Sequence, residues 1–269
     1  MKTCLIGDVH GHIFHVLLLV ALCQTERKEK YDLIIQVGDL GVWPDPDRAD
    51  AATKRFAAMD PTEFDFQYLL RPNAIQRKFL STVRRALNAP VLFIRGNHED
   101  MQWLQEHQTG PIDDFGLFQY VADGAVVERE GMRIAFLGGI ESAKNPAHQL
   151  RDDAFDTLMS LKPGSIDLLV THDALYGFAK GYYGDIKGSQ RISRLAEYLA
   201  ARYHVFGHLH HGIGPLWEQG RVTLGLALVM EAIREEKDRL KQPVRNDCLA
   251  VIDHDEKNVQ LILLRAVFI

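Results

Sequence analysis

The stretch Val91-Leu92-Phe93-Ile94-Arg95-Gly96-Asn97-His98-Glu99-Asp100 opens as an apolar run and ends as a display of polar side chains. The run reads as a buried strand. At Gly96 the strand stops, and an amide, an imidazole and two carboxylates follow in succession. In open α/β sheets, ligands bind at the carboxyl ends of strands. Four other stretches repeat the construction. Residues 3–7 run into Asp8 and His10, 32–38 into Asp39, 167–171 into His172 and Asp173, and 204–207 into His208 and His210. Five strand-like runs that each end in Asp, Asn or His ask for one explanation, and a shared metal site supplies it.

Oxygen and imidazole donors without thiolate suit Mn²⁺ first, with Fe, Zn²⁺ or Ni²⁺ as alternatives. One carboxylate can bridge two divalent ions ~3.5–4 Å apart, a pair that clamps attacking and leaving oxygens in phosphoryl transfer. The plainer reading makes Asp8 and Asn97 helix caps and the histidines core residues. Five of the twelve histidines fall inside these motifs, which weighs against it.

The chain has 269 residues, enough for one large domain or two small ones. We read a single domain over 1–269, with an insertion at about 43–74 and C-terminal strands at about 221–264. Cys4, Cys23 and Cys248 read as reduced packing residues. The longest apolar run, residues 16–23, falls short of the ~20 residues that span a bilayer. Met1-Lys2-Thr3 leads straight into a strand, without a cleavable signal, so the expectation is a cytoplasmic protein without membrane contact. The formal net charge of −5 excludes a global basic field for nucleic acid but leaves a local basic patch open. The oligomeric state is left open.

Apolar spacing predicts helices over 11–27, 73–87, 151–161 and 190–201, a short one over 99–106, and one near 48–58 inside the insertion. Strands are expected at 3–7, 32–37, 91–95, 117–121, 125–129, 133–138, 167–171, 204–207, 221–227, 247–253 and 258–264, with a turn over 212–215. Charged residues 231–241 read as helix. The segment 176–189, with four glycines, three tyrosines and two lysines, reads as a mobile loop. There Tyr182, Tyr183 and Lys187 are candidates for base stacking or phosphate binding, against a plain flexible loop. The order of elements suggests two sheets packed together with helices outside.

At the strand ends the chain resembles the calcineurin-like metallophosphoesterases. Their pattern is Asp-x-His, Gly-Asp, Gly-Asn-His-Glu/Asp, His, then Gly-His-x-His. Here it stands as Asp8-Val9-His10, Gly38-Asp39, Gly96-Asn97-His98-Glu99, His172 and Gly207-His208-Leu209-His210, five blocks in family order. The resemblance implies an α/β fold, a four-layer α-β-β-α sandwich of two mixed β-sheets flanked by helices. It implies that Asp8, His10 and His210 hold one metal, that Asn97, His172 and His208 hold the other, and that Asp39 bridges them. His98 would contact the phosphate and protonate the leaving oxygen. The expected activity is hydrolysis of phosphate esters by a dinuclear-metal-bound hydroxide.

Two finer resemblances pull apart. Arg95 with Gly96-Asn97-His98-Glu99 is similar to the Ser/Thr protein phosphatases, where that arginine binds phosphate. A structural salt bridge is the competing reading of Arg95. Those enzymes carry an Asp three residues after Gly-Asp as partner of the catalytic His, whereas here Leu40, Gly41 and Val42 follow Asp39. The layout more loosely resembles RNA lariat debranching enzymes, which have Cys where this chain has Asp8. The leading expectation is a phosphodiesterase on nucleotides or nucleic acid. A phosphomonoesterase and a non-catalytic scaffold of the same fold are the alternatives.

Overall fold

The computed structural model describes residues 1–108, 110–141, 144–180, 186–233, 235 and 244–262. One sheet runs, edge to edge, through Asn258–Leu261 (β14), Leu249–Asp253 (β13), Lys2–Ile6 (β1), Leu33–Gln36 (β2), Val91–Phe93 (β3) and Phe118–Tyr120 (β4). β1 to β4 are parallel, and β13 and β14 add antiparallel strands. The second sheet runs through Ile213–Glu218 (β11), Arg221–Gly225 (β12), Tyr203–Phe206 (β10), Leu168–Thr171 (β7), Met132–Leu137 (β6) and Val126–Arg129 (β5). Its four central strands are parallel and its two edges antiparallel, so both sheets are mixed.

Alternation along the strands explains the layering. In β1, Leu5 points between the sheets, while Cys4 and Ile6 point outward; in β2, Ile35 points inward and Ile34 outward. The outward residues pack on the helices Ile13–Arg27 (α1) and Ala74–Ala86 (α4). On the other side, Ile134 and Phe136 of β6 enter the space between the sheets. Ala135 and Leu137 meet the helices Asp152–Met159 (α6) and Gln190–Leu199 (α7). Strands covered on both faces must be apolar at nearly every position, which is why they read as continuous hydrophobic runs. The four layers are helices, sheet, sheet, helices.

The 43–74 segment is mostly helical. The helices Ala51–Ala57 (α2) and Phe66–Leu70 (α3) alternate with single 3-10 turns at Pro46–Arg48 and Pro61–Phe64. Asp45, Asp50 and Asp60 accept backbone N–H groups at three of these starts. A further helix, Met101–Glu106 (α5), follows the Gly-Asn-His-Glu block.

Three expectations change. Residues 212–215 are not a simple turn, because β11 begins at Ile213. It takes up Pro215 at a register shift on the sheet edge, where a missing N–H breaks no ladder. The 176–189 segment contains a short hairpin of Ala179–Lys180 (β8) and Ile186–Lys187 (β9). Of the helix expected over 231–241, residues 231–233 are not helical and most of the rest lies outside the described residues.

Candidate metal centre

The five strand ends meet at the seam between the two sheets. β1, β2 and β3 deliver Asp8, Asp39 and Asn97-His98; β7 and β10 deliver His172, His208 and His210. The turns are stitched to one another. The Asp39 carbonyl accepts the N–H groups of Val9 and His10 at 2.9 and 2.8 Å. Asp39 Oδ1 accepts those of Asn97 and His98, each at 2.7 Å. The Asp8 carboxylate accepts the His208 N–H. Two glycines make this closeness feasible. A Cβ at Gly96 would lie 2.0 Å from Asp39 Oδ1, and one at Gly207 would lie 2.2 Å from Asp8 Oδ1.

Four of the converging residues carry left-handed backbone: His10 (φ 46°), Asp39 (54°), His208 (66°) and His210 (60°). Such conformations are uncommon outside glycine and cluster at functional sites.

Two groups of donor atoms result, Asp8, His10, Asp39 and His210, and Asp39, His172 and His208, each group within 4.8 Å. Asp39 belongs to both. Its Oδ2 lies 3.7 Å from His10 Nε2 and 3.4 Å from His172 Nε2, is fully buried, and has no hydrogen-bond partner. His210 Nε2 sits 3.6 Å from Asp8 Oδ2 and only 3.1 Å from His10 Nε2. Asn97 Oδ1 lies 3.3 Å from His172 Nε2. A buried carboxylate oxygen without a donor is costly. Two divalent cations sharing Asp39 Oδ2 would satisfy it and separate the paired imidazole nitrogens, so the donor set fits such a pair.

Protonation divides the histidines: burial lowers His172, but Asp39 more than offsets it and raises that imidazole to about 9. Burial pulls the His10 imidazole down and brings His208 to about 3, keeping both in the neutral form that binds metals. His172 Nδ1 lies 2.9 Å from the Val37 carbonyl, which can only accept, so Nδ1 carries the hydrogen and Nε2 faces Asp39. Burial opposes the charge of Asp39, but His172 and His98 outweigh it and hold the carboxyl well below the usual carboxylate range. Burial raises Asp8 to about 7.

His98 is brought to the rim of this cluster, its ring centroid 5.3 Å from that of His10. Its Nδ1 is 2.7 Å from Oδ2 of Asp50, an acid that sequence reasoning missed. The acidic partner absent from the position three residues after Asp39 enters from the 43–74 segment instead. Asp50 is fixed there because its Oδ1 also caps α2, accepting N–H from Ala52 and Thr53. The capping pattern Asp50-Ala51-Ala52-Thr53 was the signal available. Burial pulls His98 down, but Asp39 and Asp50 more than offset it and the imidazole rises to about 9. Asp50 falls to about 2, the bond to His98 overcoming burial.

Of the two readings of Arg95, phosphate contact and structural salt bridge, its contacts match the second. It does not join the cluster. Its Nε donates to Asp123 Oδ2 at 2.7 Å, and its two Nη groups donate to the carbonyls of Ala147 and Gln149. Arg95 and Asp123 are both almost wholly buried. The guanidinium acts as a structural clamp, three of its five N–H groups tying Asp123 to the carbonyls of Ala147 and Gln149. Removing one partner of a buried ion pair leaves the other uncompensated, typically at ~3–5 kcal/mol. Arg95→Met should therefore lower the melting temperature by several degrees or more without changing metal content. An unchanged melting curve would contradict the clamp.

Other polar residues serve the frame. Glu99 accepts the N–H groups of Leu40 and Val42, holding the turn after Asp39. Asp173 accepts those of Glu141 and Ala174, so it caps a turn rather than orienting His172. Lys187 is exposed on β9, and Tyr182 and Tyr183 lie outside the described residues.

Comparison with known proteins agrees with this construction. Two solved structures share the fold at low identity. One, 11% identical, superposes with a TM-score of 0.58 over 98% of this chain and 99% of its own. TT1561 of Thermus thermophilus, 12% identical, gives 0.53 over 96% of each chain. A phosphatase from Mycoplasma pneumoniae, 15% identical, gives 0.47 over 97% of this chain and 90% of its own. No curated protein matches the sequence at a significant level. The model of the calcineurin-like phosphoesterases matches residues 1–212, which hold all five strand ends, and the chain belongs to that family.

Proposed function

We propose that this protein is a metal-dependent phosphodiesterase acting on nucleotides or nucleic acid. The observation that carries the catalytic reading is the buried, unpartnered Asp39 Oδ2 shared by two donor groups. Asp8, His10 and His210 would hold one divalent ion and Asn97, His172 and His208 the other, with Asp39 between them. Mn²⁺ suits this oxygen and imidazole set. Such a pair supplies an activated water nucleophile at neutral pH and neutralises phosphoryl charge.

The chain's own groups do the rest. His98, with Nδ1 committed to Asp50, keeps Nε2 for the substrate and carries a proton at neutral pH. It is the group to protonate the leaving oxygen. Arg95 bears on the choice of ester. As a phosphate ligand it would favour a monoester dianion, but its guanidinium is buried and bonded to Asp123 and two carbonyls. A diester carries one charge less and needs less cationic compensation. The family match is to the calcineurin-like phosphoesterases and does not name the debranching enzymes.

Purified protein with Mn²⁺ should hydrolyse bis-p-nitrophenyl phosphate in preference to p-nitrophenyl phosphate, and Asp39→Asn should hydrolyse neither. Preference for the monoester would reverse the substrate assignment. Failure to turn over either, with no metal bound, would leave the scaffold reading.

A further inference from the structure

Residues 66–98 contain six Lys and Arg and no Asp or Glu, in a chain whose net charge is −5. Most of that charge lies on or beside α4. Arg71, Arg77, Lys78 and Arg85 are exposed, and among the described residues none of the four forms an ion pair. Lys78 and Arg85 are two turns apart, so they stand on one face about 10 Å from each other. Tyr68, on the adjoining α3, is 41% exposed. α3 belongs to the same 43–74 segment that delivers Asp50 to His98.

We infer that the exposed face of α4, with Tyr68 beside it, binds single-stranded nucleic acid, Arg71, Arg77, Lys78 and Arg85 contacting successive phosphates and Tyr68 offering a base a stacking surface. This deepens the phosphodiesterase reading and rests on it. Charge complementarity names the occupant, since exposed cations without acidic partners, Arg77 lying over the Phe115 ring and Arg85 donating to Thr82, on a net acidic protein fit a polyanion. An anionic membrane fits less well. A membrane-surface helix needs a free apolar face; on α4 Leu80 and Val83 are buried in the core, and the exposed Ile75 is a single residue rather than a face.

The test is fluorescence anisotropy with a labelled oligonucleotide and the full chain, in EDTA to stop turnover. Three to four phosphate contacts predict that affinity falls roughly 20-fold or more between about 50 and about 200 mM salt. Arg77→Glu/Lys78→Glu/Arg85→Glu should weaken binding at least tenfold and flatten the salt dependence. Turnover of bis-p-nitrophenyl phosphate should stay within twofold. Should the triple variant fold poorly, Lys78→Gln/Arg85→Gln changes exposed side chains only and should still weaken binding severalfold. Unchanged affinity in a folded variant, no binding by the parent chain, or binding of phosphatidylserine vesicles in place of oligonucleotide would each overturn the inference. Hydrolysis of the small diester without oligonucleotide binding would sink this surface and spare the phosphodiesterase reading. Binding without hydrolysis of any diester would do the reverse.

Discussion

Asp50→Asn is expected to lower turnover at least about tenfold while both metal sites stay filled. A positioned general acid contributes ~10²–10⁴-fold, and His98→Ala should show the whole of that loss. Asp50 acts through His98, so Asp50→Asn should show a large part of it, and the double variant should be no worse than His98→Ala alone. Asparagine isolates the effect. It caps helices as well as aspartate does, so α2 should survive, but it no longer offers a charge to the imidazole. The pH profile gives a second reading. A raised imidazole is protonated below its pKa and loses the proton as pH rises through it. Without Asp50, the alkaline fall in kcat should move to lower pH. Steady-state kinetics on a small diester with elemental analysis of the same samples decides the matter. Full activity in Asp50→Asn, or losses that multiply in the double variant, would show that the pair is not a unit.

Asp39→Asn is the second large effect. The substitution suits the left-handed backbone and keeps an oxygen to accept the Asn97 and His98 N–H groups. It removes the negative charge of the one residue common to both donor groups. Metal content should fall from two ions per chain toward none, and hydrolysis should fall to background. The melting temperature of the metal-free protein should change little. Two tightly bound ions in this variant would mean that Asp39 is not shared.

Much of this was legible in the sequence, for a local reason. A strand buried on both faces is an apolar run, and the glycine and polar residues after it mark where the sheet presents its ligand edge. What was not legible is non-local. Asp50 lies at the start of a helix eleven residues past Asp39, and only the packing of the 43–74 segment points it at His98. Arg95 read equally as phosphate ligand or clamp, because its partners, Asp123 and the carbonyls of Ala147 and Gln149, are far away in the chain. Pro215 suggested a turn because spacing does not reveal that β11 is an edge, where proline is tolerated.

The left-handed turns at His10, Asp39, His208 and His210 imply a compromise between folding and chemistry. L-residues in that region cost roughly 1–2 kcal/mol each, and glycine would relieve much of it. A chain selected only for endurance would shed these side chains. Lys28, Glu130, Ala200, Gln219 and Lys257 carry the same backbone at helix ends and turns, but only at the seam do four candidate metal ligands carry it together, so there robustness is set against reactivity. Glycine would relieve the backbone at all of these positions, but at His10, Asp39, His208 and His210 it would also remove the donors that the proposed chemistry needs.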